Sequence, residues 1–170
     1  MAKIAVYPGS FDPITFGHIN IVERGLEIFD NIIIAVAGNS SGKKPFFSSE
    51  ERIDIIKKLF KKEKRVTAEP FNGLLINYVK AKKAEVILKG LRSVTDFEYE
   101  LQMALANKNL SGNIETVFMM TEDKYSFISS TIIKEILSLG GSVKGLAPDV
   151  VVQEFNKKMK ERKSDIVSWE

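Results

Sequence analysis

The sequence predicts an α/β fold: a doubly wound sheet of five parallel strands, helices on both faces and a C-terminal helix. Three observations carry that prediction. The apolar pattern changes period repeatedly along the chain, and each change falls beside a Gly, Pro, Ser or Asn. Five short β-rich runs are mostly apolar on both faces, as strands of a parallel sheet covered on both sides must be. Between them lie stretches whose apolar residues recur at intervals of three and four, the mark of helices crossing from one parallel strand to the next.

The elements follow in order. The first strand runs from Ile4 to Tyr7, and Ile19, Val22, Leu26 and Phe29 mark the helix after it. A second strand spans Ile32 to Ala37. The next helix carries Ile53, Ile56 and Phe60, and Ser48 followed by Glu51 forms a capping box at its start. Strand three is placed at Arg65 to Glu69, strand four at Glu85 to Leu88 and strand five at Ile114 to Met119. Helices are expected over Leu74 to Lys82, Thr95 to Leu110 and Ser130 to Leu139, with a last one after Pro148 carrying Val151, Phe155 and Met159. Nothing reads as a linker, a repeat or a low-complexity tract, and 170 residues at 44% hydrophobic suit one core, so residues 1–170 are expected to form a single domain.

Composition excludes several functions. The chain has no cysteine, which removes disulfides, thiolate metal sites and cysteine nucleophiles, and points to a cytoplasmic address. The opening MAKIAVYPGSFD lacks the long apolar region of a signal peptide, and no run reaches the ~20 apolar residues of a membrane span. Net charge is +3, with basic residues gathered at Lys57 to Arg65 and Lys157 to Lys163. Both runs lie on or beside amphipathic helices and lack interleaved aromatics, so they read as solvated faces and not as a nucleic-acid surface.

In a doubly wound sheet, ligands bind beyond the carboxyl ends of the strands where strand order reverses. That directs attention to four loops: Pro8–Gly17, Gly38–Phe47, Lys89–Val94 and Met120–Ser129. The first reads Y-P-G-S-F-D-P-I-T-F-G-H, where Gly9 permits close backbone approach and His18, the sole histidine, opens a helix. It is neither a Walker loop nor a dinucleotide fingerprint. At a helix start the ring faces a partial positive charge, which favours a neutral imidazole able to donate one hydrogen bond to a phosphate oxygen. After strand four, Lys89 and Arg92 bracket a glycine. They could clamp phosphates or simply face water. Glu98 and Glu100 follow in the first turns of the next helix, where its dipole alone favours carboxylates. After strand five, Ser129 or Ser130 caps a helix, a geometry that also suits phosphate. Lys43, taken alone, is an ordinary loop lysine. Together these loops offer cations, a histidine and hydroxyls without a thiol or metal-ligand cluster, which suits phosphoryl or nucleotidyl transfer better than covalent catalysis.

Thr15-Phe16-Gly17-His18 resembles the [TH]-x-G-H signature of the nucleotidyltransferase superfamily. With K-K-P-F-F, K-G-L-R-S-V-T-D-F-E-Y-E and S-F-I-S-S-T in this order, nearly the whole chain resembles the bacterial phosphopantetheine adenylyltransferases. The resemblance implies a Rossmann-like nucleotidyltransferase fold and a reaction in which the phosphate of 4′-phosphopantetheine attacks the α-phosphorus of ATP. It assigns His18, Lys43 and Arg92 to transition-state stabilisation. It assigns Ser10, Lys43, Leu75 and Lys89 to the acceptor. ATP falls to Ser10, Phe11, His18, Gly90, Leu91, Arg92, Glu100 and the stretch Tyr125, Ser126, Phe127, Ile128, Ser129, Ser130 and Thr131. It further implies Mg2+ carried by the nucleotide with no dedicated metal ligands, a homo-hexamer, and feedback by coenzyme A. Three departures stand out: Lys89 replaces the family's arginine, Ser10 stands where threonine is frequent and keeps the hydroxyl, and the loop Asn39–Gly42 is one residue longer, leaving Lys43 or Lys44 as the contact. The alternatives are a nucleotidyltransferase using nicotinamide mononucleotide or a polyol phosphate, and a nucleotide-binding regulator without catalysis.

Overall fold

The computed structural model describes residues 2–38 and 45–167, with 163–167 described by backbone alone. Five parallel strands, β1 (Ile4–Gly9), β2 (Asn31–Ala37), β3 (Val66–Phe71), β4 (Val86–Leu91) and β5 (Glu115–Met120), form one sheet in the order β3-β2-β1-β4-β5. Helices α1 (Phe16–Gly25), α2 (Ser49–Leu59), α3 (Leu75–Ala81), α4 (Val94–Leu110), α5 (Ser130–Ser138) and α6 (Asp149–Val167) connect or cover them. The predicted fold class, its strand number and the C-terminal helix are all present. So is the capping box of α2, where the Glu51 N–H donates to Ser48 Oγ and the Ser48 N–H donates to Glu51 Oε2.

Alternation along the strands divides the interior. Ala5 and Tyr7 face one layer, where Ile21 and Val22 of α1, Ile53 and Ile56 of α2, Ile133 of α5 and Phe155 of α6 pack together. Val6, Ala35 and Ile87 face the other, against Ile76 and Val79 of α3. The period-two pattern of each strand thus builds both layers at once.

Three strands run two or more residues further than the sequence suggests. β1 continues to Gly9, β3 to Phe71 and β4 to Leu91, so Lys89, Gly90 and Leu91 are strand residues and not loop. Parallel pairing overrides weak local propensity: β4 stays in register with β5 through Gly90 opposite Met119 and Leu91 opposite Met120. Helix α1, in contrast, ends at Gly25 before the predicted Phe29. A Cβ at Gly25 would lie 2.8 Å from Ile32 Cδ1, so the glycine lets the helix end rest on the sheet.

Strand order reverses between β1 and β4, and there the pairing is shortest. β1 pairs β2 over six positions but pairs β4 only at Ala5 opposite Val86 and Val6 opposite Ile87. Beyond these residues the two strands part, leaving a cleft at their carboxyl ends. The basic runs lie elsewhere and are partly neutralised: Lys58 pairs with Glu154 at 2.6 Å, Lys158 with Glu51, and Arg65 with Glu63 at 2.9 Å. The first two pairs join α6 to α2. No helix among the described residues is long and apolar enough to cross a membrane.

Candidate active site at the parting of β1 and β4

At the end of β1 the chain turns back on itself. Gly9 is required there, because a Cβ would stand 2.9 Å from Cζ of Phe11, whose ring folds over it. Phe11 adopts φ +48, an uncommon conformation for a large side chain, and is buried. Its ring meets Tyr7 and His18 edge-on, with centroids 5.2 Å away in each case.

His18 lies in the first turn of α1. The Thr15 N–H donates to its Nδ1 at 3.0 Å, and Thr15 Oγ1 is 2.9 Å from the same nitrogen. An Nδ1 that accepts a backbone proton carries none itself, so the neutral ring bears its proton on Nε2 and can donate it. Burial and, after it, the Arg92 guanidinium push the imidazole down to about 4. A neutral ring is what the sequence suggests, although burial leads here and not the helix terminus. Tyr7, buried beside it, is pushed well above the ordinary phenol range by the same desolvation.

Gly90 serves a second close approach: a Cβ would fall 2.9 Å from Ile21 Cγ1 and 3.2 Å from the Tyr7 hydroxyl. Lys89 Nζ lies 3.0 Å from Oε2 and 3.3 Å from Oε1 of Glu100. Arg92 follows β4 directly. Its Nε donates to Asp96 Oδ2 at 3.0 Å, and its Nη1 donates to the Ile128 carbonyl at 3.0 Å. Ser93 caps α4 by accepting from the Asp96 N–H. Ser129 caps α5 by accepting from the Ile132 N–H, while Ser130 Oγ donates to the Pro13 carbonyl at 2.7 Å and ties α5 to the β1 loop.

These groups border one cavity of about 510 Å³. His18, Lys89 and Arg92 line it, with Ser10, Phe11, Gly90, Glu100 and the run Ile128 to Thr131. First-turn residues of three helices also reach it: Gly17 of α1, Thr95 of α4 and Thr131 of α5. Helix N-termini present unpaired N–H groups and partial positive charge, so they add to the cations in favouring an anion. The cavity can therefore hold a polyphosphate, with a neutral N–H donor and two cations beside it. Among the described residues no group of three or more His, Asp or Glu could hold a metal ion.

Five other residues named from the sequence are not part of the cavity lining. Leu75 packs beside the α3 layer, and Leu91 is buried. The Tyr125 ring stacks on Phe16, Ser126 Oγ donates to the Asp123 carbonyl, and Phe127 is exposed. Lys43 lies outside the described residues. Sequence reading passed over Tyr7, Asp96 and Tyr99, all of which line the cavity. Asp96 had a usable signal, its spacing of four from Arg92. Tyr7 reads only as a strand aromatic.

Residues 6–136 match the cytidylyltransferase-like family. The chain is 50% identical over 164 residues to a phosphopantetheine adenylyltransferase of Clostridium botulinum strain Hall, covering 96% of this chain and 99% of that protein. It is 52% identical over 158 residues to the protein of that name from Clostridium botulinum strain Eklund 17B, covering 93% and 99%. Among solved structures, a putative nicotinate-nucleotide adenylyltransferase from Vibrio parahaemolyticus aligns with a TM-score of 0.68 at 16% identity, over 91% of this chain and 99% of that one. A lipopolysaccharide core biosynthesis protein from Thermoplasma volcanium aligns with a TM-score of 0.56 at 23% identity, over 72% and 100%. At such identities the two structures speak to the fold alone.

Proposed function

The chain belongs to the cytidylyltransferase-like family and, within it, to the phosphopantetheine adenylyltransferases; from that premise we propose that it transfers the adenylyl group of ATP to 4′-phosphopantetheine, giving dephospho-coenzyme A and pyrophosphate. The observation that carries the proposal is that His18, Lys89 and Arg92, brought from the start of α1 and the end of β4, share one cavity where β1 and β4 part. An acceptor phosphate oxygen forms the new bond to the α-phosphorus as the bond from that phosphorus to the pyrophosphate oxygen breaks, so no enzyme nucleophile is involved. Negative charge builds on the α-phosphate oxygens during the exchange. The Nε2–H of His18 and the Arg92 guanidinium are suited to stabilise it. Lys43 joins them by family resemblance.

Lys89, with Ser10, is assigned to the acceptor phosphate, and Gly90, Glu100 and the start of α5 to the nucleotide. Mg2+ enters as part of the ATP substrate, coordinated by its phosphates. Coenzyme A contains the product's own scaffold and competes for the same cavity. The cysteine-free sequence supports a cytoplasmic enzyme. Association between copies is supported by α4, which leaves Val94, Leu101 and Leu105 exposed; six copies is what the family resemblance implies.

Pyrophosphate release, measured with ATP and each of 4′-phosphopantetheine, nicotinamide mononucleotide and glycerol 3-phosphate, tests the assignment. The first acceptor should exceed the others by orders of magnitude in kcat/KM. In the same assay His18→Ala should lower kcat by roughly a hundredfold or more, the cost of losing one oxyanion donor. A preference for another acceptor removes the substrate, and unchanged turnover in the variant removes the mechanism.

A further inference from the structure

Two buried charged side chains near the site take no part in the reaction as described. Asp12, almost fully buried, accepts from the Phe47 N–H at 2.8 Å, the Phe46 N–H at 2.9 Å and Lys134 Nζ of α5 at 2.7 Å. Arg52, on α2 and also almost fully buried, donates from Nη1 to the carbonyls of Ser10 at 2.6 Å and Ala37 at 3.0 Å, and from Nε to that of Ser48 at 3.2 Å. Burial alone would raise the Asp12 carboxyl, but Lys134 and the two amides hold it below the ordinary range, so it stays charged.

The residue between Ser10 and Asp12 is Phe11, the one held at φ +48 with its ring against His18. A strained backbone persists only where its surroundings over-determine it. Here Arg52 grips the residue before it, and Asp12, the residue after it, is gripped by the β2–α2 connection and α5. Hydrogen bonds to charged groups are the stronger kind, and those inside a protein have little water to compete with them.

We propose that Asp12 and Arg52 are positioning residues that hold Phe11 in its left-handed conformation and so fix the His18 imidazole against the transferring phosphate. The proposal rests on the adenylyl-transfer reading only for its rate effect. Loss of either anchor lets residues 10–12 relax, withdraws the Phe11 ring and leaves the partly buried imidazole more exposed to water. Displacement of a catalytic group by about 1 Å can cost on the order of a hundredfold in rate.

The test uses Asp12→Asn, Arg52→Lys and, as a control, Ser48→Ala, which removes the α2 cap but neither anchor. Both anchor variants should lose roughly ten- to a hundredfold in kcat with KM for ATP held within about threefold. As the only histidine, His18 can be followed by NMR in each protein, and its titration should move upward by a unit or more in both. Ser48→Ala should change neither quantity. The inference is overturned if the titration stays in place in both anchor variants, if kcat stays within twofold of the parent, if the control reproduces the changes, or if neither anchor variant folds. Should the parent release no pyrophosphate with 4′-phosphopantetheine, the activity reading fails, while the histidine titration still decides the anchoring.

Discussion

His18 is the residue to which the proposed reaction assigns the central part, and its environment makes a measurable statement. The ring binds its second proton less readily folded than unfolded, at about 4 against a usual 6.5. Its contribution to stability is therefore fully present above pH 6.5 and is lost as pH falls towards 4. The slope is at most about 1.4 kcal/mol per pH unit. The histidine NMR titration should show a midpoint near 4, and His18→Asn should flatten the acid side of the stability profile. A midpoint near 6.5 would contradict the desolvation of the ring. A phosphomonoester titrates near pH 6, so a break in kcat/KM at that pH belongs to the acceptor and not to the imidazole. Lys89 gives a second expectation. A lysine is a point charge where an arginine would offer a planar fork, so Lys89→Arg should lower KM for 4′-phosphopantetheine by about three- to tenfold and leave kcat close to the parent value. A clear rise in that KM would argue against Lys89 as the phosphate contact.

At the level of elements, α4 is the anomaly. Among its residues only Asn107 is buried, yet Phe97, Leu101, Met103 and Leu105 give it an apolar surface. An apolar helix that finds no cover within its own chain is suited to cover between copies. Sedimentation should show the parent as an oligomer, and Leu105→Glu should shift it to smaller species with the helical spectrum retained. A monomeric parent would leave the exposed face without this explanation. The elements were largely legible in the sequence because β-branched runs and helical spacing act locally, as the capping box of α2 illustrates. Strand ends were not: Lys89-Gly90-Leu91 has no strand propensity of its own and is strand only because β5 pairs with it. The pairing of Lys89 with Glu100 was equally hidden, since each taken alone suits its own position and only the fold brings them together. Arg52 was hidden for another reason. It sits beside Ile53 in a helix whose apolar spacing marks the buried face, and nothing local says that an arginine is buried there too.

Across the whole molecule, the ion pairs between α2 and α6 hold the C-terminal helix over the layer that contains Phe155, and no described side chain of α6 lines the cavity. The rim of the cavity depends instead on the centre of the sheet. Where β1 and β4 cease to pair, each remains anchored on its outer side, β1 to β2 as far as Gly9 and β4 to β5 as far as Leu91. The two inner lips are thus rigid and yet free of each other. A phosphate chain lying between them meets main-chain groups whose spacing is set by the ladders outside, whatever side chains stand on the rim. Exchanging a lysine for an arginine there should change how tightly the acceptor is held without disturbing how the opening is built, so affinity can drift over a frame that does not.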